Sequence, residues 1–209
     1  GAKLQPLKYS QGEMERISAL FGKNSDVTLY QGAQANETSV KSVGLLNQYR
    51  YVHFSVHASA NEAVPKFSGL FLSPPFSHGA ETNSLSQGDG VLTTEEIMGL
   101  RLNAELVSLS ACETGLGKQI RGEGMMGLMR AFIYAGTPSV AVSLWTVDER
   151  ATADLMENFY KYLLHGKRQK AGTYIRLNKA EALQEAQLDA IREGNAPYYW
   201  APFVLVGHP

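Results

Sequence analysis

Cysteine is almost missing from this chain: Cys112 is the only one in 209 residues. A single thiol closes no intrachain disulfide, which fits a reducing, cytoplasmic setting. Net charge is nearly missing too, at −1. That excludes the basic footprint of a nucleic-acid or anionic-membrane binder. Long apolar runs are absent, and nothing approaches the roughly 18 residues of a membrane span. No secretory leader is expected, and no internal repeat or low-complexity tract is seen. Gly122-Glu123-Gly124 has neither the GK[ST] ending of a P-loop nor GxGxxG spacing, so nucleotide binding is set aside. No cofactor is expected. The chain opens on Gly1-Ala2 without an initiator Met, so a protein extending further upstream is expected.

What is present is a globular composition, 44% hydrophobic and 19% charged, of one-domain length. Strand and helix signals alternate along it. Ser10-x-x-Glu13 has the form of a capping box ahead of apolar Met14, Ile17, Leu20 and Phe21. Short strands are expected at 26–30, 50–56, 68–73, 105–110, 138–145 and 203–206. Helices are expected over about 37–49, after Thr93-x-x-Glu96, at the Met125, Leu128, Met129, Phe132 stripe, after Asp148, and after Asn178-x-x-Glu181. Residues 74–90 read as a mobile loop and 167–170 as a solvated basic loop. Six strands interleaved with helices imply one mostly parallel sheet covered on both faces. Active sites of such sheets lie beyond the carboxyl ends of the strands.

Two reactive residues fall at such ends. Leu106–Ser110 is a buried-strand pattern running into Ala111-Cys112-Glu113-Thr114-Gly115. A thiol at a strand end, facing a helix N-terminus, favours its reactive thiolate form. Fifty-five residues upstream, the strand Tyr51–Val56 runs into His57. The pair suggests a nucleophile with its base; the plain alternatives are a buried structural thiol and a hydrogen-bonded structural imidazole. His53 competes with His57, but four strand residues span about 13 Å, too far for both to bind one metal. His53 is therefore read as a buried partner in its strand, and no metal site is expected.

Several strings together resemble the CHAT domain. These are Ser110-Ala111-Cys112-Glu113-Thr114-Gly115, Gly122-Glu123-Gly124, Tyr134-Ala135-Gly136, Ser143-Leu144-Trp145-x-Val147-Asp148 and Tyr199-Trp200-Ala201-Pro202-Phe203. His53-Phe54-x-x-His57, Ser68–Leu72 and Leu92-Thr93-x-x-Glu96-Ile97 extend the match upstream. The resemblance covers most of the chain in order. It implies a caspase-like three-layer α/β sandwich forming a single peptidase domain over 1–209, a fragment of a longer protein. It implies Cys112 as nucleophile, His57 as base, and the amides of Ala58 and Cys112 as oxyanion donors. It also implies helical repeats, usually tetratricopeptide, in the same protein, and a protein substrate. Many caspase-like proteases carry Gly where this chain has Ala58; an N–H survives, but a positive φ would be costly for alanine.

In caspase-like enzymes the residue two before the nucleophile lines the pocket for the substrate's P1 side chain. Here it is Ser110, which is uncharged. A basic P1 residue needs a carboxylate, and Asp148 is the first candidate, Glu113 the second; their plain readings are a helix cap and a turn residue. No Arg or Lys lies in 139–147 to receive an acidic P1 side chain. The rival readings are a catalytically silent scaffold or interaction module, and a hydrolase or acyltransferase acting on a small molecule.

Overall fold

The structure is a computed structural model. It describes residues 6–42, 44–59, 64, 66, 68–74, 88–110, 112–113, 123–145, 148–169 and 172–209, with the backbone alone at 112, 113, 123 and 124. The strands in chain order are β1 (Tyr51–Phe54), β2 (His57–Ser59), β3 (Gly69–Phe71), β4 (Val91–Thr93), β5 (Leu106–Leu109), β6 (Cys112–Glu113), β7 (Ser139–Ser143), β8 (Lys167–Arg168), β9 (Tyr174–Ile175) and β10 (Phe203–Gly207). The α-helices are α1 (Ser10–Ala19), α2 (Glu37–Lys41), α3 (Thr94–Met98), α4 (Glu123–Tyr134), α5 (Glu149–His165), α6 (Lys179–Arg192) and α7 (Pro197–Trp200).

The main sheet has the order β1-β5-β7-β10. Its first three strands are parallel and β10 joins antiparallel. A second four-stranded sheet, β4-β3-β2-β6, grows from the same wall: β2 follows β1 after two residues and β6 follows β5 after two. The fold is thus mixed α/β with a mostly parallel four-stranded sheet. Five of the six expected strands form and are divided over two sheets, because β1 and β5 end at Phe54 and Leu109 and pairing resumes in the second sheet at His57 and Cys112.

Each face of the main sheet is covered. Val52, Phe54, Val107, Leu109, Val140 and Val142 pack with Leu128, Met129 and Phe132 of α4 and Ile97 of α3. Leu106 and Ala141 pack on the other side with Leu155, Met156, Phe159 and Tyr160 of α5, Ala182 and Leu183 of α6, and Ile17 of α1. The period of two along a strand sends alternate residues to the two layers.

Most start and stop signals are realised. Thr93 and Asn178 form reciprocal capping boxes with Glu96 and Glu181, and Gly166 at φ 72° ends α5. A side chain there would meet the Ile175 carbonyl at 2.0 Å, because the chain turns back at once into the β8–β9 hairpin. That hairpin takes the place of the expected basic loop. Three expectations fail locally. The strand expected at 26–30 is irregular. The helix expected over 37–49 stops at Lys41 and resumes only as a 3₁₀ turn at Leu46–Gln48, interrupted by Gly44 at φ 80°. Ser10 is not a helix cap: α1 begins after Tyr9, which makes no side-chain cap, and the Ser10 hydroxyl instead donates to the Ser55 carbonyl at 3.0 Å. Most of the expected mobile loop, residues 75–87, lies outside the described residues. No described helix is long and apolar enough to cross a membrane.

Candidate active site

β2 and β6 run parallel, and their register sets His57 opposite Cys112 and Ala58 opposite Glu113. Neighbouring strands lie about 4.8 Å apart. Two residues distant in sequence are therefore brought to one rung of one ladder. The register is set from below, where β1 and β5 pair Tyr51 with Leu106 through Phe54 with Leu109. The Ser110 amide then donates to the Phe54 carbonyl at 2.9 Å and carries the alignment across the break. Ala58 is buried in the middle of its sheet, between β3 and β6, and no described non-glycine residue has a positive φ. The position accommodates alanine without strain. The side chains of Cys112 and Glu113, and residues 114–122 with the expected turn, lie outside the described residues.

Below this rung the wall is polar on one face. His53 and Ser55 of the His57 strand, and Ser108 and Ser110 of the Cys112 strand, all point toward α1 and α5. Glu13 of α1 reaches into them and is 3% exposed. Its Oε1 lies 3.0 Å from His53 Nε2, and its Oε2 accepts from Ser55 Oγ at 2.6 Å. His53 Nδ1 is 3.3 Å from the Tyr160 hydroxyl, which donates to Ser108 Oγ at 3.0 Å. Burial alone pushes the Glu13 carboxyl up; His53, by hydrogen bond and charge, with Ser110 and Ser55, outweighs it and holds the group below its ordinary range. Burial pushes the Tyr160 hydroxyl far up, so it stays a neutral donor. His53 is thus a buried partner, as its strand position indicated, and its partner is the acid that the sequence pattern assigned to a capping box. An i to i+3 spacing cannot tell an acid that turns back to its own helix from one that crosses to a sheet.

The predicted pocket residues separate. Ser110 is 3% exposed and lines a water-sized cavity of about 10 Å³ with Glu13, Ser55, Thr152, Glu149, Ser10 and Leu7. Asp148 is exposed, and its Oδ1 accepts from the Ala151 amide at 3.0 Å, capping α5. Its neighbour Glu149, not Asp148 itself, reaches the cavity. A larger cavity of about 470 Å³ lies between the β8–β9 hairpin and α6, away from the His57–Cys112 rung. No group of three His, Cys, Asp or Glu suited to a metal occurs among the described residues.

The CHAT domain matches residues 1–208. The chain belongs to the CHAT family. Curated relatives include tetratricopeptide repeat protein 28 of Mus musculus, 28% identical over 230 residues and 97% of this chain, which spans 9% of that protein. The Homo sapiens protein of the same name is 28% identical over 232 residues, again over 97% of this chain and 8% of that protein. The chain therefore covers under a tenth of these relatives, whose names record tetratricopeptide repeats. The CHAT domain is related to caspase-like peptidases.

Proposed function

We propose that this CHAT domain is a cysteine endopeptidase with a caspase-like sandwich fold, in which Cys112 is the nucleophile and His57 the base. The observation that carries the reading is the shared rung: His57 and Cys112 are directly opposed on parallel strands. A dyad needs its two groups within hydrogen-bond reach or slightly beyond in the resting protein, and a register that sets the two residues opposite each other supports the reading.

In the proposed cycle the Cys112 thiolate attacks the scissile carbonyl carbon, and the C–N bond breaks as His57 delivers its proton to the leaving amine. Water, deprotonated by His57, then cleaves the thioester, freeing the new carboxyl end and restoring the thiol. The amides of Cys112 and Ala58 are the oxyanion donors, worth about 3–4 kcal/mol each where such donors have been removed. Ser110 lines the P1 pocket, with Glu113 and Asp148 nearer its rim, and a basic P1 side chain is preferred. The setting is cytoplasmic, and the polypeptide carries a tetratricopeptide region outside this domain, as the named relatives do.

A peptide-library cleavage profile tests the function. Cleavage present in the wild type and lost by on the order of 10⁴-fold or more in Cys112→Ala supports it, the scale seen when a nucleophile is deleted. The second reading, a silent interaction module, is favoured by relatives named for their repeats rather than for an activity. Equal profiles for wild type and Cys112→Ala would establish that module instead.

A further inference from the structure

Glu13 is a buried carboxylate in an unusual position. Its ion-pair contact among the described residues is the imidazole of His53; no ammonium or guanidinium reaches it. Buried carboxylates are ordinarily matched by a cation, and the other well-buried carboxylate among the described residues, Glu37, has Lys41. Glu13 also faces a cavity whose remaining walls are underused. The hydroxyls of Ser110 and Thr152, on residues 3% and 2% exposed, have no hydrogen-bond partner among the described residues, and both line that cavity. Ser110 is close enough to Glu13 to favour its ionised form, yet falls outside hydrogen-bond geometry with it. The Glu13 carboxylate and the hydroxyls of Ser110 and Thr152 converge on one space that Glu149 also lines. The carboxylate only accepts and each hydroxyl can accept as well, which suits a ligand rich in N–H groups.

The cavity lies close to the reacting rung. Ser110 precedes Cys112 by two residues. Its mouth is covered by the segment that leads into α1. Leu7 and Ser10 line it, the Tyr9 amide donates to Glu149 Oε2 at 3.1 Å, and Ser10 is tied to the Ser55 carbonyl. The space left is water-sized, so a side chain enters only when Leu7–Ser10 moves outward. Those two side-chain ties lie at the surface and at a part-buried edge, and the Tyr9 carbonyl also accepts from the Glu13 amide at 2.8 Å, so the cover and the acid are joined at the start of α1.

We propose that Glu13 is the specificity-determining acid of this site: a P1 arginine or lysine enters between Ser110 and Thr152, displaces the Leu7–Ser10 cover, and pairs with the Glu13 carboxylate. The proposal rests on the peptidase reading for the identity of the pocket. It replaces Asp148 as the principal partner of a basic P1 residue and leaves Asp148 at the rim. An arginine suits the pocket better than a lysine, because its five donors in a planar fork match several acceptors at once.

The test uses two arms. In the first, fluorescent peptides differing only at P1 (Arg, Leu or Asp) are titrated against Cys112→Ala, which binds without turnover. The Arg peptide is expected to bind tightest and to lose roughly 30-fold or more in the added Glu13→Gln variant, the Leu peptide changing little. In the second, the same peptides are offered to the wild type and cleavage is followed. Glu13-dependent Arg binding without cleavage sustains the pocket and overturns the peptidase reading. Cleavage whose Arg-to-Leu ratio ignores Glu13→Gln overturns the pocket and leaves the peptidase reading intact. Neither binding nor cleavage overturns both. If Glu13→Gln fails to fold, Ser110→Lys gives the same decision: an ammonium placed against Glu13 must abolish the preference for Arg over Leu, and an unchanged preference overturns the proposal.

Discussion

The two faces of the β1–β5–β7 wall are made by alternate residues of the same strands, yet they are built on different physics. Toward α4, Val52, Phe54, Val107, Leu109, Val140 and Val142 meet Leu128, Met129 and Phe132 in one apolar cluster. Toward α1 and α5, the low end of the wall is apolar, with Leu106 against Phe159, but the upper end carries His53, Ser55, Ser108 and Ser110 against Glu13, Tyr160 and Thr152. The dry face gains stability from area and shape and tolerates any apolar residue of the right volume. The polar face gains little net stability, because each of its hydrogen bonds replaces one to water. What it provides is fixed polar groups in a low-dielectric space beneath the His57–Cys112 rung, where a charged ligand is recognised strongly.

Truncation on the dry face should give the largest loss of stability. Phe132 is fully buried and stacks at 5.7 Å on Phe54. Phe132→Ala is expected to cost about 3–5 kcal/mol in urea unfolding, while any Arg-to-Leu selectivity is retained. Selectivity that collapsed along with stability would mean the two faces are not independent. On the polar face, Tyr160→Phe strips the donor from Ser108 and the partner from His53, with a cost of about 1–3 kcal/mol. It serves as the control for Glu13, since it perturbs the network without removing the carboxylate, and a shifted P1 profile in Tyr160→Phe would show that the network, not the acid, selects.

The Glu13 network has a definite pH signature. The folded-state carboxyl is depressed, so its contribution is complete above the unfolded value near 4.3 and is lost as pH falls through the lower folded value. Wild type should therefore lose more stability than Glu13→Gln on going from pH 6 to pH 3, by thermal unfolding. Parallel curves would show that the carboxylate is not held ionised by its neighbours. The groups that face it are His53, Ser55, Ser110 and Glu149, and the difference is read below pH 5, where the carboxyl itself titrates. The smallest effect expected is at Asp148. Asp148→Ala should cost about 1 kcal/mol as a lost cap and alter the Arg-to-Leu ratio no more than a few-fold. A loss matching that of Glu13→Gln would return the P1 role to Asp148.

Much of this was legible in the residues. The capping boxes at Thr93 and Asn178, the stop at Gly166, the apolar stripe of α4 and the strands holding His53 and Leu106–Leu109 are local patterns, set by hydrogen bonds and periods that span a few residues. Strand-end placement suggested His57 and Cys112 as a pair, and the family strings supported that reading. The β8–β9 hairpin was not legible, because Lys167-Arg168 and Tyr174-Ile175 form strands only by pairing with each other. Glu13 was misread for a related reason. Its spacing from Ser10 satisfied a local pattern, while its carboxylate found better partners on β1, 40 residues away.

By itself, then, the sequence determined the alternation of elements and the apolar halves of the helices, since these depend on neighbours along the chain, and it singled out His57 and Cys112 as candidates. The tertiary structure alone decided that His57 and Cys112 share a rung, that the sheet splits in two above its core, and that Glu13 leaves its helix end to lie under Ser110. Those are meetings between segments 40 to 100 residues apart, governed by strand register and by which buried polar groups can satisfy one another, and no local pattern encodes either.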